Sequence, residues 1–259
     1  MKVTICQLSA EKDRLEYEWR NLVEHANRHG SDVVLLPEMP FYPWITALKE
    51  VDASLWERAV KSHDKWIQRL PELGVRIVIG TRPVIDPGFN KRYNAGFIWS
   101  AKSGLQDVHK KVYLPDEAGF WEATWYDRGE KDFQAFEIEG IKISFLICTE
   151  LWFMEQARNY AKQGIHILAC PRSTPAESVD KWVAGGRAAA VISGAFCLSS
   201  NHQGIAPNKK TALGGVGWIT DPEGNVLGKT SEKEPCKTVD IDIRIAEKAK
   251  FTYPRYVLE

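Results

Sequence analysis

The 259-residue sequence has no excess of either charge: 34 Lys and Arg stand against 34 Asp and Glu, at a pI near 7.0. That balance excludes the basic footprint of a nucleic-acid binder, and no Lys/Arg block marks a membrane surface. Small neutral or mildly charged ligands fit better. Long apolar runs are missing too. The longest, from Ala188 to Leu198, falls short of the roughly 18 to 20 residues that cross a bilayer. The N-terminus, Met1-Lys2-Val3-Thr4-Ile5-Cys6-Gln7-Leu8, lacks the stretch a signal peptide needs. A cytoplasmic protein is therefore expected. The five cysteines, at positions 6, 148, 170, 197 and 236, are odd in number and form no CxxC pair, so reduced thiols are expected rather than a disulfide or zinc framework. The six histidines make no HxH or HExxH pattern, and no glycine-rich phosphate loop is present. No metal or organic cofactor is expected.

What is there is an alternation of short apolar runs and helical stripes. Val3 to Gln7 has the character of a buried strand. Arg14 to His29 places Leu15, Trp19, Leu22, Val23 and Ala26 on one helical face before Gly30. Asp32 to Leu36 forms a second strand, and Ser54 with Glu57 has capping-box spacing ahead of a helix that ends at Pro71. Val75 to Gly80 is a strand, and Tyr93 to Ser100 with Val108 to Leu114 flank a turn at Lys102-Ser103-Gly104. A second block opens with strands at Phe133 to Ile138 and Ile141 to Ile147. It repeats helix (Phe153 to Gln163), strand (Ile165 to Cys170), helix (Val179 to Ala190) and strand (Ala195 to Ser200), then adds short strands to Ile243. Strands joined now by helices and now by tight turns predict an α/β fold of two mixed sheets with helices on the outer faces. No linker-like stretch interrupts the chain, so one domain, 1–259, is expected.

Three positions draw attention as chemistry. Cys148 follows a strand whose Ile141, Ile143, Phe145 and Ile147 alternate on one face, and it precedes a helical run starting at Thr149-Glu150. A thiol at a strand-to-helix turn has backbone N–H groups beside it and a helix start that lowers its pKa, which suits a nucleophile; buried strand-end cysteines are also ordinary core residues. Glu38 follows Leu35-Leu36-Pro37 at a strand's carboxyl end, where it could equally be a solvated loop carboxylate. Lys111 lies in His109-Lys110-Lys111-Val112-Tyr113-Leu114, where alternating polar residues also fit a half-exposed strand.

Taken together, Leu36-Pro37-Glu38, Lys111-Val112-Tyr113-Leu114-Pro115 and Phe145-Leu146-Ile147-Cys148-Thr149-Glu150-Leu151-Trp152-Phe153 occur in the order and spacing of the nitrilase, or carbon-nitrogen hydrolase, superfamily. The late Gly217-Trp218-Ile219-Thr220-Asp221-Pro222-Glu223-Gly224 also resembles that family's signature, so the likeness covers nearly the whole chain. The resemblance implies an α-β-β-α sandwich, homo-oligomers whose subunits pair through helices, and a catalytic Glu-Lys-Cys triad at Glu38, Lys111 and Cys148. It implies a further catalytic carboxylate at Glu122, in Gly119-Phe120-Trp121-Glu122-Ala123, with Glu117 as the competing candidate. Glu150 stands where many relatives carry aspartate. Near Ala189-Ala190-Val191-Ile192-Ser193-Gly194 the sequence departs from the family's Arg-Ala-x-Glu-Asn-Gly.

The implied activity is hydrolysis of a non-peptide carbon-nitrogen bond through an acyl-thioester, foremost of a small carboxamide, with nitrile or N-carbamoyl hydrolysis as alternatives. A non-catalytic binding member of the fold is the reading outside the class. Aromatics around each motif predict a tight apolar pocket. Thr149, Trp152 and Tyr42 are its expected substrate contacts. Arg172, in Cys170-Pro171-Arg172-Ser173-Thr174, is read either as an anchor for a substrate carboxylate or as half of a structural salt bridge.

Overall fold

The computed structural model describes residues 1–257. Strand β1 (Lys2–Ser9) leads to helix α1 (Leu15–His29), β2 (Val33–Leu35), α2 (Ala53–Ile67), β3 (Ile77–Asp86), β4 (Lys91–Ser100) and β5 (Gly104–Lys110). The next loop holds short strands β6 (Asp116–Glu117) and β7 (Phe120–Trp121) and a single helical turn, α3 (Glu122–Trp125). The second half runs β8 (Phe136–Ile138), β9 (Ile141–Phe145), α4 (Met154–Lys162), β10 (Ile167–Arg172), α5 (Val179–Ser193) and β11 (Phe196–Ile205). It closes with β12 (Ala212–Gly214), β13 (Trp218–Thr220), β14 (Val226–Lys229), β15 (Cys236–Asp240) and α6 (Ile243–Ala249).

Strand β1 belongs to both sheets. Its early residues pair with β15 antiparallel and, through Val3 to Ile5, with β2 parallel. Its last three, Gln7 to Ser9, pair parallel with β11. One sheet therefore runs β5-β4-β3-β2-β1, and the other continues β11-β10-β9-β8. Period-two alternation sorts the side chains. Val3, Ile5, Val33, Leu35, Ile77 and Ile79 face inward onto Ile143, Phe145, Ile167 and Phe196 of the second sheet. Val34, Leu36, Val78 and Phe97 face outward, where α1 covers them with Leu15, Trp19, Leu22 and Ala26. Each such fully buried aliphatic side chain contributes roughly 1.5 to 3 kcal/mol. On the other side α5 packs on α4 and β11. The expected sandwich of two mixed sheets between helices is the observed one.

Local details differ where side chains compete for the backbone. The cap of α2 is Asp52, which accepts from Ser54 N at 2.8 Å and Leu55 N at 3.3 Å; the Ser54/Glu57 box does not form. An aspartate two residues earlier offers a charged acceptor to the same free amides, so it wins. The sheets come close at Gly96, where a Cβ would lie 2.9 Å from the Phe145 ring. No helix among the described residues is long and apolar enough to cross a membrane.

Candidate active site

The two sheets bring Glu38, Lys111 and Cys148 to one end of the sandwich. Glu38 sits three residues past the end of β2, with its backbone pinned by two long-range bonds: its N–H donates to Arg172 O at 3.3 Å and its carbonyl accepts from His202 Nε2 at 2.8 Å. Met39 follows in the left-handed region at φ +45° and donates its N–H to Thr81 Oγ1 at 2.7 Å. Strand β5 stops at Lys110, so Lys111 is not the half-exposed strand residue its pattern suggested; it is fully buried. Cys148 opens a 3-10 turn, Cys148–Trp152, with φ +49°. Such a conformation costs a non-glycine residue on the order of 1 to 3 kcal/mol and is held by its surroundings. Here the holder is Glu150, fully buried, which accepts from Ile147 N at 2.8 Å, Val112 N at 2.7 Å and His109 Nε2 at 2.8 Å. One carboxylate thus ties the cysteine turn to the lysine segment.

Lys111 Nζ donates to Glu38 Oε1 at 2.7 Å and to Glu122 Oε2 at 2.6 Å, with all three side chains fully buried. An ammonium has three N–H donors, so one remains for a ligand. Asn94 Nδ2 adds a second bond to Glu38 Oε1 at 2.7 Å, and the Tyr126 hydroxyl donates to Glu122 Oε2. Glu38 Oε2 and Glu122 Oε1 are buried without partners among the described residues. The Cys148 thiol is the group that adjoins the Glu38 carboxyl.

Burial dominates the electrostatics. It raises Glu38 to about 7, with Glu122 adding to the shift and Lys111 opposing it. Burial also raises Glu122, against the pull of Lys111. For Lys111 burial acts downward, but the carboxylates of Glu122 and Glu38 outweigh it and the ammonium is held more firmly than usual. The Cys148 thiol is pushed well above its ordinary value, first by burial and then by Glu38. This reverses the expectation of a lowered thiol pKa at a helix start: a short 3-10 turn offers little dipole, and desolvation beside a carboxylate outweighs it. Cys148 rests as a thiol next to a carboxylate raised close to neutrality.

A cavity of about 290 Å³ opens onto this cluster. Cys148, Thr149, Trp152 and Glu122 line it, together with Ser173, Thr174, Phe120 and Trp182. Its charged mouth residues are Glu117 and Lys181. Glu122 reaches Lys111, while Glu117 is exposed at the rim. Tyr42 is half-buried beside the cluster of Trp44, Trp56 and Trp125 and does not line the cavity. Arg172 is not among the residues that line the cavity, and it forms no ion pair among the described residues. It is fully buried and gives its donors to Ser199 Oγ at 2.7 Å, Thr174 Oγ1 at 2.6 Å and Val216 O at 2.8 Å, lying 4.1 Å from the Trp218 ring centre. Three of its five N–H donors go to these backbone and hydroxyl oxygens.

Asn94, Tyr126, His202 and Ser173 belong to the site and carry no local sequence signal as polar partners. Asn94 meets Glu38 across 56 positions of chain, in a strand where it stands between Lys91-Arg92-Tyr93 and the apolar run Ala95-Gly96-Phe97-Ile98-Trp99. Only the pairing of β3 with β4 brings it there. Among the described residues no group of three or more His, Cys, Asp and Glu could hold a metal ion.

The chain is 25% identical over 244 residues to a citrullinase of Francisella tularensis, spanning 88% of this chain and 84% of that one. It is 26% identical over 235 residues to a 2-oxoglutaramate amidase of Bacillus subtilis, spanning 90% and 86%. In fold it resembles a carbon-nitrogen hydrolase from Helicobacter pylori, with a TM-score of 0.84 at 18% identity over 99% of this chain and 94% of the other. The family model for carbon-nitrogen hydrolases matches residues 2–251, and the chain belongs to that family.

Proposed function

We propose that the protein is a cysteine-dependent amidase that hydrolyses a small primary carboxamide, or the ureido group that resembles one, to acid and ammonia. The observation that carries this reading is the buried array in which Lys111 spans Glu38 and Glu122, while the Glu38 carboxyl, with one oxygen unpartnered among the described residues, adjoins the Cys148 thiol. Cys148 Sγ attacks the carbonyl carbon as Glu38 takes its proton. The third N–H of Lys111, with the Thr149 backbone N–H, holds the oxyanion that forms. Glu38 returns the proton to the nitrogen, the C–N bond breaks and ammonia leaves, with the acyl group on sulfur. Water then gives its proton to Glu38 and attacks the thioester; the acid departs and the thiol is restored. Glu122 fixes Lys111 and the water, carrying no proton itself.

The similarity to a citrullinase and a 2-oxoglutaramate amidase supports a substrate with a polar tail. Glu117 and Lys181 at the cavity mouth are placed for such a tail. Ammonia release from a panel of small carboxamides, ureido compounds and nitriles tests the proposal. Turnover of the first two classes supports it, and release from nitriles alone would replace it with a nitrilase.

A further inference from the structure

Eight buried side-chain polar atoms lack a partner among the described residues, and two of them belong to residues lining the cavity: Glu122 Oε1 and Ser173 Oγ. Buried hydroxyls are nearly always hydrogen-bonded, and leaving one empty costs about 1 to 3 kcal/mol. Ser173 is fully buried and directly follows β10. Its backbone amide faces the Cys148 sulfur. The segment around it is fixed from both sides. Thr174 N donates to Asn201 Oδ1 at 3.0 Å, Thr174 Oγ1 accepts from Arg172 at 2.6 Å, and Arg172 O accepts from Glu38 N at 3.3 Å. The backbone of this segment is thus fixed in the wall beside the nucleophile, and it carries a buried hydroxyl that has no partner among the described residues.

We propose that Ser173 binds the substrate, its hydroxyl oxygen accepting a hydrogen bond from the amide nitrogen while Cys148 attacks the carbonyl carbon. This rests on the amidase reading above and adds a partner to it. When sulfur adds to the carbonyl, the nitrogen becomes pyramidal and its lone pair must turn toward the proton on Glu38. An N–H held by Ser173 Oγ fixes that rotation. The C–N bond then breaks, the nitrogen leaves as ammonia with the Glu38 proton, and Ser173 neither gains nor loses a proton. The same acceptor needs an N–H on the nitrogen: an unsubstituted NH2 group offers two, and a doubly alkylated nitrogen, which offers none, would leave the hydroxyl empty.

The test compares kcat/KM for a small primary carboxamide and for the p-nitrophenyl ester of the same acid, in the wild type and Ser173→Ala. Nitrophenolate departs without an N–H to orient and without needing a proton. Loss of one buried hydrogen bond predicts a fall of roughly 10- to 100-fold for the amide and less than about 2-fold for the ester. Ser173→Thr keeps the hydroxyl and should keep the wild-type ratio of the two rates. Ser173→Gly repeats the comparison if the alanine variant fails to fold. Equal losses on both substrates, or none on either, would overturn the role of Ser173 while amide turnover by the wild type leaves the amidase reading standing. A wild-type enzyme that cleaves the ester but no amide would overturn the amidase reading itself.

Discussion

Asn94 donates to Glu38 Oε1, the same oxygen that Lys111 holds, and so leaves Glu38 Oε2 without a partner among the described residues, on a carboxyl that adjoins the Cys148 thiol. A carboxylate with one oxygen saturated and the other free can take a proton at only one place. The orientation of the base is therefore set by an amide on a neighbouring strand.

Asn94→Ala removes a donor to the charged form of Glu38, so its pKa should rise further above about 7. The acid limb of the kcat/KM profile should move to higher pH by up to about one unit, and kcat on the plateau should fall roughly 10-fold as the base loses its fixed geometry. A limb unchanged in position would show that Asn94 only packs.

Wild-type activity should rise with pH through about 7, as Glu38 becomes able to accept a proton. Stability should run the other way. The folded carboxyl binds its proton more tightly than the unfolded one, near 4.5, so its contribution is complete below about 4.5 and is lost as pH rises through about 7. Glu38→Gln removes a charge that burial disfavours, so the melting temperature of the variant relative to the wild type should rise from pH 5 to pH 8. A difference that falls, instead of rising, between pH 5 and pH 8 would contradict this sign.

Lys111→Met leaves two buried carboxylates without their cation. Acylation should slow by roughly 100-fold or more, and stability at pH 8 should drop by about 3 to 5 kcal/mol. Lys110→Met removes an exposed ammonium lying 4.1 Å from the Tyr93 ring centre and should change either by little. Rapid-quench kinetics and denaturant melts separate the two. Equal effects would place the wrong lysine at the site.

Gly96→Ala tests the spacing of the sheets. A methyl there meets the Phe145 ring at 2.9 Å, and overpacking of this kind costs about 1 to 3 kcal/mol. Phe145 lies three residues before Cys148, so the shift should also lower kcat. A fully active, fully stable variant would mean that the sheets can part without disturbing the cysteine turn.

The fold was legible because its signals are periodic. Leu15, Trp19, Leu22 and Ala26 mark α1 at helical spacing, and Gly30 ends it at φ +61°. Strand boundaries slipped by a few residues where pairing, not propensity, decides the end: the run through Leu114 stops at Lys110 because Val112 N is taken by Glu150. Helix α6 was not foreseen; Asp242 caps it by accepting from Arg244 N at 3.0 Å. At the site, motif order pointed to Glu38, Lys111, Glu122 and Cys148, which the fold brings together. Asn94 and Ser173 were not legible, since a buried asparagine in a strand and a serine after one look like any others until the opposing chain is in place. The sign of the Cys148 shift also needed the structure, because sequence shows a helix start but not how thoroughly it is buried.

The covalent step is the core of the proposed chemistry, and intact-mass spectrometry reads it directly. Glu122→Gln keeps the Glu38 base and should acylate but deacylate slowly, so incubation with a small carboxamide followed by acid quench should show one acyl adduct, mapped by peptide digestion to Cys148. Glu38→Gln, which cannot take the thiol proton, should show none. An adduct on another cysteine, or steady ammonia release by Cys148→Ala with a wild-type melting curve, would contradict the assignment of Cys148 as nucleophile.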